Sequence, residues 1–218
     1  MEDSLKKRYF IKLVSNVING LIGIVLVAII PKALGAIAYG QFIYIQNFFT
    51  QIINFLEVGS STALFTKLSA NNSRKELIIF YFLFSCFLLI VLFSFIWIII
   101  FLDYTQFFLP DVAVKYIIFG VWFGFFTWVS QILIKISDAY ALTVSVEFLK
   151  IGHKVLSLLF LLYFVYGLWF DLSMYFYFHY ISLLSFIIVV SVLFIKKGIF
   201  PKTLLSISFD IKSIVKEF

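Results

Sequence analysis

The sequence predicts an all-α integral membrane protein with six transmembrane helices and both termini in the cytoplasm. Of its 218 residues, 63% are hydrophobic and only 13% are charged. That charge content is about half that of an ordinary soluble domain, which excludes a soluble fold. Six apolar segments approach the ~20 residues that a helix needs to cross a bilayer. They cover residues 13–30, 42–64, 77–102, 116–134, 155–170 and 172–195.

The distribution of Lys and Arg predicts the orientation. If the six segments cross in alternation, fifteen of the seventeen basic residues fall on one side, and only Lys32 and Lys115 fall on the other. Cytoplasmic loops carry the excess of basic residues, so both termini are predicted to be cytoplasmic. The net charge of +6 then indicates contact with the head groups of membrane lipids, and no nucleic acid partner is expected.

Each connection in the predicted order is short. The first segment follows Lys6, Lys7 and Arg8; a cleavable signal is the alternative there, but polar residues interrupt the apolar run. The outer loops, residues 31–40, 103–115 and 167–171, leave no room for a catalytic domain. The inner connections are residues 67–76 and residues 135–154. In the second of these, Glu147, Lys150 and Lys154 recur at helical spacing, which predicts that the fifth helix begins there. Residues 1–198 form one predicted six-helix lobe, and residues 199–218 a predicted amphipathic helix on the cytoplasmic surface.

Two helical faces carry amides inside the predicted membrane. Their residues recur at spacings of three and four, which places each set on one side of its helix. One interpretation is a hydrated cavity for a ligand with phosphate or sugar hydroxyls, because amides both donate and accept hydrogen bonds. The other is hydrogen bonding between neighbouring helices. The two sets are Lys12, Asn16 and Asn19 in the first segment, and Asn47, Gln51 and Asn54 in the second.

Glu57 completes this set of candidate cavity residues. A carboxylate about two turns inside the second segment is expected to be hydrated or paired, and Lys67 is a possible partner. Gly120 and Gly124 form a GxxxG pattern that predicts close helix packing. His179 is expected to be packed among tyrosines, and His153 to lie at the cytoplasmic interface.

No pattern for covalent chemistry is present in the sequence. Cys86 is the only cysteine. There is no His, Asp and Glu cluster at metal-ligand spacing, no phosphate-binding glycine loop and no nucleophile elbow. The sequence therefore predicts no enzyme activity, no metal site and no cofactor.

Two short motifs carry a family resemblance. The first is LGAIAYGQF at residues 34–42, and the second is LEVGSSTAL at residues 56–64, followed by Lys67. Together they resemble the N-terminal portion of the Wzx-type polysaccharide flippases, the O-antigen and capsule repeat-unit exporters of the multidrug/oligosaccharidyl-lipid/polysaccharide superfamily. In that family an LG…YG turn joins helices one and two, and an acidic residue precedes G-x-S-T-A-L. The first motif departs from the usual pattern at residues 36–38.

The resemblance implies the function. It implies flipping of an oligosaccharide repeat unit linked to undecaprenyl diphosphate across the bacterial inner membrane during lipopolysaccharide or capsule synthesis. Family members pair two six-helix lobes, so the chain is expected to be the N-terminal lobe of a longer or split transporter that needs a second lobe as partner. The alternatives are a cation-coupled drug exporter of the same superfamily, a glycan polymerase or ligase, and an inactive truncated product.

Overall fold

The computed structural model describes residues 4–167 and 170–200, and within these ranges all regular secondary structure is helical. Most of the predicted amphipathic helix at residues 199–218 lies outside the described residues. The helices are α1 (Leu5–Leu34), α2 (Ala36–Glu57), α3 (Ser60–Ala70), α4 (Glu76–Phe101), α5 (Thr105–Phe108), α6 (Val114–Ala139), α7 (Thr143–Gly167) and α8 (Leu172–Lys196).

Five of these helices are long and apolar enough to cross a membrane, namely α1, α4, α6, α7 and α8. They support a membrane-embedded α-helical protein, as the sequence predicts. α2 has 22 residues, which corresponds to about 33 Å at 1.5 Å per residue. It is long enough to span, but its amides lower its mean hydropathy, so a sixth crossing stays a prediction.

The second predicted segment, residues 42–64, is not one continuous helix. It divides between Glu57 and Ser60, because Val58 and Gly59 both take left-handed backbone angles, with φ of 47° and 78°. Glycine adopts such angles without a steric penalty, whereas a β-branched valine does so rarely. The Ser61 N–H donates to Glu57 Oε1 at 3.1 Å, so the Glu57 carboxylate caps the start of α3.

Two predicted loops are largely helical in the structure. Gly35 alone separates α1 from α2, with φ of 81°, where a loop at residues 31–40 was expected. The expected inner loop at residues 135–154 is the end of α6, a short turn, and the first three turns of α7. Lys150 and Lys154 therefore lie in α7, as their helical spacing predicts, although α7 begins earlier, at Thr143.

α6 lies at the centre of the bundle and is the most buried of the five apolar helices. It packs against α2, α3, α4, α7 and α8, while α1 packs mainly on α7. Gly120 and Gly124 lie where α6 meets α2, and Phe49 lies directly against both glycines. The predicted role of GxxxG in close helix packing is confirmed.

The orientation is tested by topology reporters. Fusions after Asn72 and Ala141 are expected to report the cytoplasm, and a fusion after Phe107 the outer side, because basic residues flank the first two positions. Each position is fused separately to a reporter that is active only in the cytoplasm and to one that is active only outside. The two signals at one position then control each other. An outer signal at Asn72 would contradict the six-crossing arrangement and mean that α2 does not cross.

Candidate functional site

α2 has one apolar and one amide-bearing face. Its buried side packs into the core, whereas Asn47, Gln51 and Asn54 are exposed and their side chains make no hydrogen bond among the described residues. Within the described residues these amides therefore do not link helices, and the choice between the two interpretations stays a prediction. The buried face consists of Phe42, Ile45, Phe49 and Ile53.

A groove runs between this amide face and α4. It encloses about 790 Å³ and is walled mainly by aromatic and aliphatic side chains, with Asn47 and Gln51 on the α2 side. Phe55 on α2 and Phe95 on α4 are among the exposed aromatic residues that border it. The groove therefore combines apolar walls with two amides, a surface suited to an amphiphilic ligand.

The three polar residues predicted on one face of α1 have different surroundings. Lys12 Nζ donates to Asp138 Oδ2 at 2.7 Å, and the Thr143 hydroxyl donates to Asp138 Oδ1 at 2.8 Å. Asn16 is exposed and its side chain has no hydrogen bond within the described residues. Asn19 donates to Ser15 Oγ at 3.3 Å, so it hydrogen-bonds within its own helix.

A second polar network ties α1 to α7. The buried Ser15 hydroxyl donates a short hydrogen bond to Glu147 Oε2, and Lys150 Nζ lies 3.2 Å from the same oxygen. Only 2% of the Glu147 side chain is exposed. A buried carboxylate without partners is costly, and here a hydroxyl and an ammonium stabilise it. The sequence shows the spacing of Glu147 and Lys150 but not their link to Ser15.

Glu57 is buried at the break between α2 and α3. Besides the Ser61 N–H, it accepts a hydrogen bond from Trp128 Nε1 at 2.8 Å, and Lys135 Nζ lies 3.8 Å away. Lys135, on α6, also donates to the hydroxyls of Ser61 and Thr62. The expected pairing of Glu57 is therefore present. Its partners are the Ser61 N–H on α3 and the Trp128 and Lys135 side chains on α6, and Lys67, the possible partner named from the sequence, is not among them.

An internal cavity that the sequence did not indicate lies between the α1 and α7 pair and the α6 and α8 pair. It encloses about 320 Å³. Thr127 Oγ1 and His179 Nε2 are buried and have no hydrogen-bond partner among the described residues, and both residues line it. Its other polar lining residues are Ser130, Lys150, His153, Lys154, Ser157 and Ser182.

Both histidines contact this cavity. His179 stacks on Phe42 with ring centroids 5.1 Å apart and contacts the Tyr175 ring, as its predicted packing implies. His153 Nε2 lies 2.9 Å from Ser185 Oγ, so its ring contacts α8, and its position at the cytoplasmic interface stays a prediction. A signal for this site exists in the spacing of residues 150, 153, 154 and 157, which recur along one side of α7.

The described residues bring Asn16 and the α2 amides to the surface, leave Asn19 Oδ1 buried without a hydrogen-bond partner among them, and bring Lys12 and Glu57 into ion pairs. No group of three or more His, Cys, Asp or Glu side chains among them is placed to hold a metal ion. No protein-family model matches the chain, and comparisons with curated proteins and with solved structures gave no match.

Proposed function

We propose that the chain is the N-terminal lobe of a Wzx-type flippase that moves oligosaccharide repeat units linked to undecaprenyl diphosphate across the bacterial inner membrane. The observation that carries this proposal is the exposed amide face of α2. A helix long enough to span, packed on one side and lined with amides on the other, is costly against lipid. The amide face therefore requires water or another protein surface beside it.

A second lobe facing α2 meets that requirement. It encloses Asn47, Gln51 and Asn54 in a central cavity, where their amides hydrogen-bond sugar hydroxyls. The groove between α2 and α4 adjoins these amides and offers apolar walls for a prenyl chain. Substrate contacts near the middle of the membrane, at the interface of two helical repeats, are the arrangement on which alternating access depends.

Cations for the diphosphate are present at the predicted cytoplasmic end of the lobe. Lys12 and Lys135 have side chains that are 45% and 38% exposed. Each is held by a carboxylate, Asp138 for Lys12 and Glu57 for Lys135. Lys12 donates one hydrogen bond, to Asp138, so its ammonium keeps N–H donors for phosphate oxygens, whereas Lys135 already donates to Ser61 and Thr62 beside Glu57.

The alternatives receive less support from the geometry. A cation-coupled exporter requires a carboxylate free to bind the ion, whereas Glu57 and Asp138 are each paired with a lysine. A glycan polymerase or ligase requires a large outer loop with acidic and basic residues. The connections that the structure describes at the predicted outer end are Gly35 and the segment between α4 and α6. The only helix in that segment is the four-residue α5.

Complementation of a flippase-deficient strain tests the proposal. The chain alone is expected to restore no surface glycan, and co-expression with the second lobe of a Wzx-type flippase is expected to restore it. Changing both Asn47 and Gln51 to Leu is expected to abolish that rescue, because leucine cannot hydrogen-bond sugar hydroxyls. Surface glycan is measured by gel electrophoresis, and membrane levels by immunoblot.

Ser94→Leu is the matched control, since Ser94 is an exposed polar residue of α4 that does not line the groove. It is expected to retain rescue. Glycan restored by the chain alone would refute the need for a second lobe. No rescue in either case, with both proteins present in the membrane, would refute the flippase proposal.

A further inference from the structure

We propose that the internal cavity between α1, α6, α7 and α8 binds a phosphate-bearing anion within this single lobe. The site is separate from the exposed amide face of α2 and does not depend on a second lobe. The shared chemistry of the ligand is a phosphate monoester or inorganic phosphate, supplied either by a lipid head group or from solution.

The charge of the cavity is the first argument. Lys150 and Lys154 both line it, and none of the described lining residues carries a carboxylate. Glu147, one turn before Lys150, lies within 3.2 Å of the Lys150 ammonium and balances it. Lys154 makes no hydrogen bond or ion pair among the described residues. The other charged or titratable side chains around Lys154 are Lys150, His153 and His179.

The depth of Lys154 is the second argument. The apolar part of α7 that follows it ends at Gly167 and is only about 20 Å long at 1.5 Å per residue. Because the hydrocarbon core is about 30 Å thick, a span formed by α7 has to include Lys154. An ammonium at that depth is costly unless it faces water or an anion. Lys154 lines the cavity and is also exposed at the surface of the described residues.

The hydrogen-bonding groups are the third argument. Thr127 Oγ1 on α6 and His179 Nε2 on α8 are buried without a partner among the described residues, and buried polar atoms are normally satisfied. Ser157 on α7 and Ser182 on α8 contribute hydroxyls 3.0 Å apart. Donors that converge from three helices fit the several oxygens of a phosphate group.

The cavity size fits a small polar group. A volume of about 320 Å³ lies at the lower end of the ~300–1,000 Å³ typical of small-molecule sites. Apolar residues such as Ile22, Phe123 and Phe186 form the rest of the wall. Low-polarity walls strengthen the attraction between Lys154 and an anion relative to the same pair in water.

Binding is measured on the full 218-residue chain in phosphatidylcholine nanodiscs. The soluble probe is inorganic phosphate, and its binding is measured from the width of its ³¹P line. Sodium chloride keeps the ionic strength constant. The lipid probe is phosphatidic acid added to the nanodiscs. Its binding is measured as a rise in the midpoint of thermal unfolding, monitored by tryptophan fluorescence. A response to phosphate alone assigns a free anion, and a response to phosphatidic acid alone assigns a lipid head group. Either response supports the site.

Three variants separate this site from general charge attraction. Lys154→Gln is expected to weaken binding by roughly tenfold to a hundredfold, the range for a hydrogen bond to a charged group. Thr127→Val keeps the charge and is expected to weaken binding by about threefold to tenfold. Lys32→Gln removes an exposed lysine at the far end of α1 and is expected to bind like the unmodified chain.

Lys154 and Lys32 have no hydrogen-bond or ion-pair partner among the described residues, so both variants are expected to fold. If the unmodified chain responds to neither phosphate nor phosphatidic acid, the proposal is overturned. Equal binding by Lys154→Gln and the unmodified chain would also overturn it. Unchanged binding in Thr127→Val would mean attraction by surface charge and would overturn the assignment to the cavity.

Discussion

Replacing Glu57 by Leu is expected to destabilise the lobe by about 3 kcal/mol or more, the range for removing one partner of a buried charged network. The change leaves the Trp128 indole N–H and the Ser61 N–H without their acceptor. Each unsatisfied buried donor costs about 1–3 kcal/mol. Lys135 contributes less, because its ammonium is 3.8 Å away and its side chain is 38% exposed.

Equilibrium unfolding in detergent, followed by tryptophan fluorescence, measures this effect. Glu57→Gln retains one carbonyl oxygen and is expected to cost roughly half as much as Glu57→Leu. Glu76→Leu is the control, since it removes a partly exposed ion pair with Arg74 and is expected to cost at most about 1 kcal/mol. Equal losses for Glu57→Leu and Glu76→Leu would contradict the structural role of Glu57.

The apolar helices could be predicted because their signal is local. Each one is a run of hydrophobic residues long enough to cross a bilayer, and the clustering of Lys and Arg at its ends is readable without any knowledge of packing. The same locality explains the errors at helix ends. Lys150 and Lys154 lower the hydropathy of residues 135–154, so hydropathy alone begins the fifth segment at residue 155, whereas α7 begins at Thr143.

The break after Glu57 has a different cause. Residues 42–64 remain apolar across Val58 and Gly59, so hydropathy gives no boundary there. A local signal exists in Gly59 followed by Ser60 and Ser61, since glycine and serine are common at helix boundaries. What stabilises the break is the contact of Glu57 with Trp128, 71 residues later in the sequence. That contact follows from packing and cannot be read from the local pattern.

The candidate sites also differ in whether a local pattern or helix packing determines them. The exposure of Asn47, Gln51 and Asn54 follows from the opposite, buried face of α2, which the helical period determines. The internal cavity instead requires four helices to meet, and its polar residues come from three of them, between Thr127 and Ser182. Single polar residues in α6, α7 and α8 gave no sign that they converge, because helix pairing is not encoded in the spacing along one helix.

Gly120→Ala is expected to destabilise the lobe by about 1–3 kcal/mol, the range for overpacking a well-filled core. A methyl group at this position would overlap the Phe49 ring and the Ile45 side chain on α2. At Gly124, an added methyl would lie 2.9 Å from Ile53 Cδ1, so Gly124→Ala is expected to cost less. Both losses oppose the helix-propensity gain of alanine over glycine, which is about 1 kcal/mol in favour of alanine.

Gly20→Ala provides the matched control for this close contact between α2 and α6. Gly20 lies in α1 with no atom within 4 Å of an added methyl, so only the propensity gain of up to about 1 kcal/mol applies. The two substitutions are therefore expected to shift the unfolding midpoint in opposite directions. Phe49→Leu, which removes part of the obstructing ring, is expected to recover some of the stability lost in Gly120→Ala. Equal midpoints for Gly120→Ala and Gly20→Ala would mean that α2 and α6 do not pack this closely, and the amide face of α2 would then lose the rigid support that holds it outward.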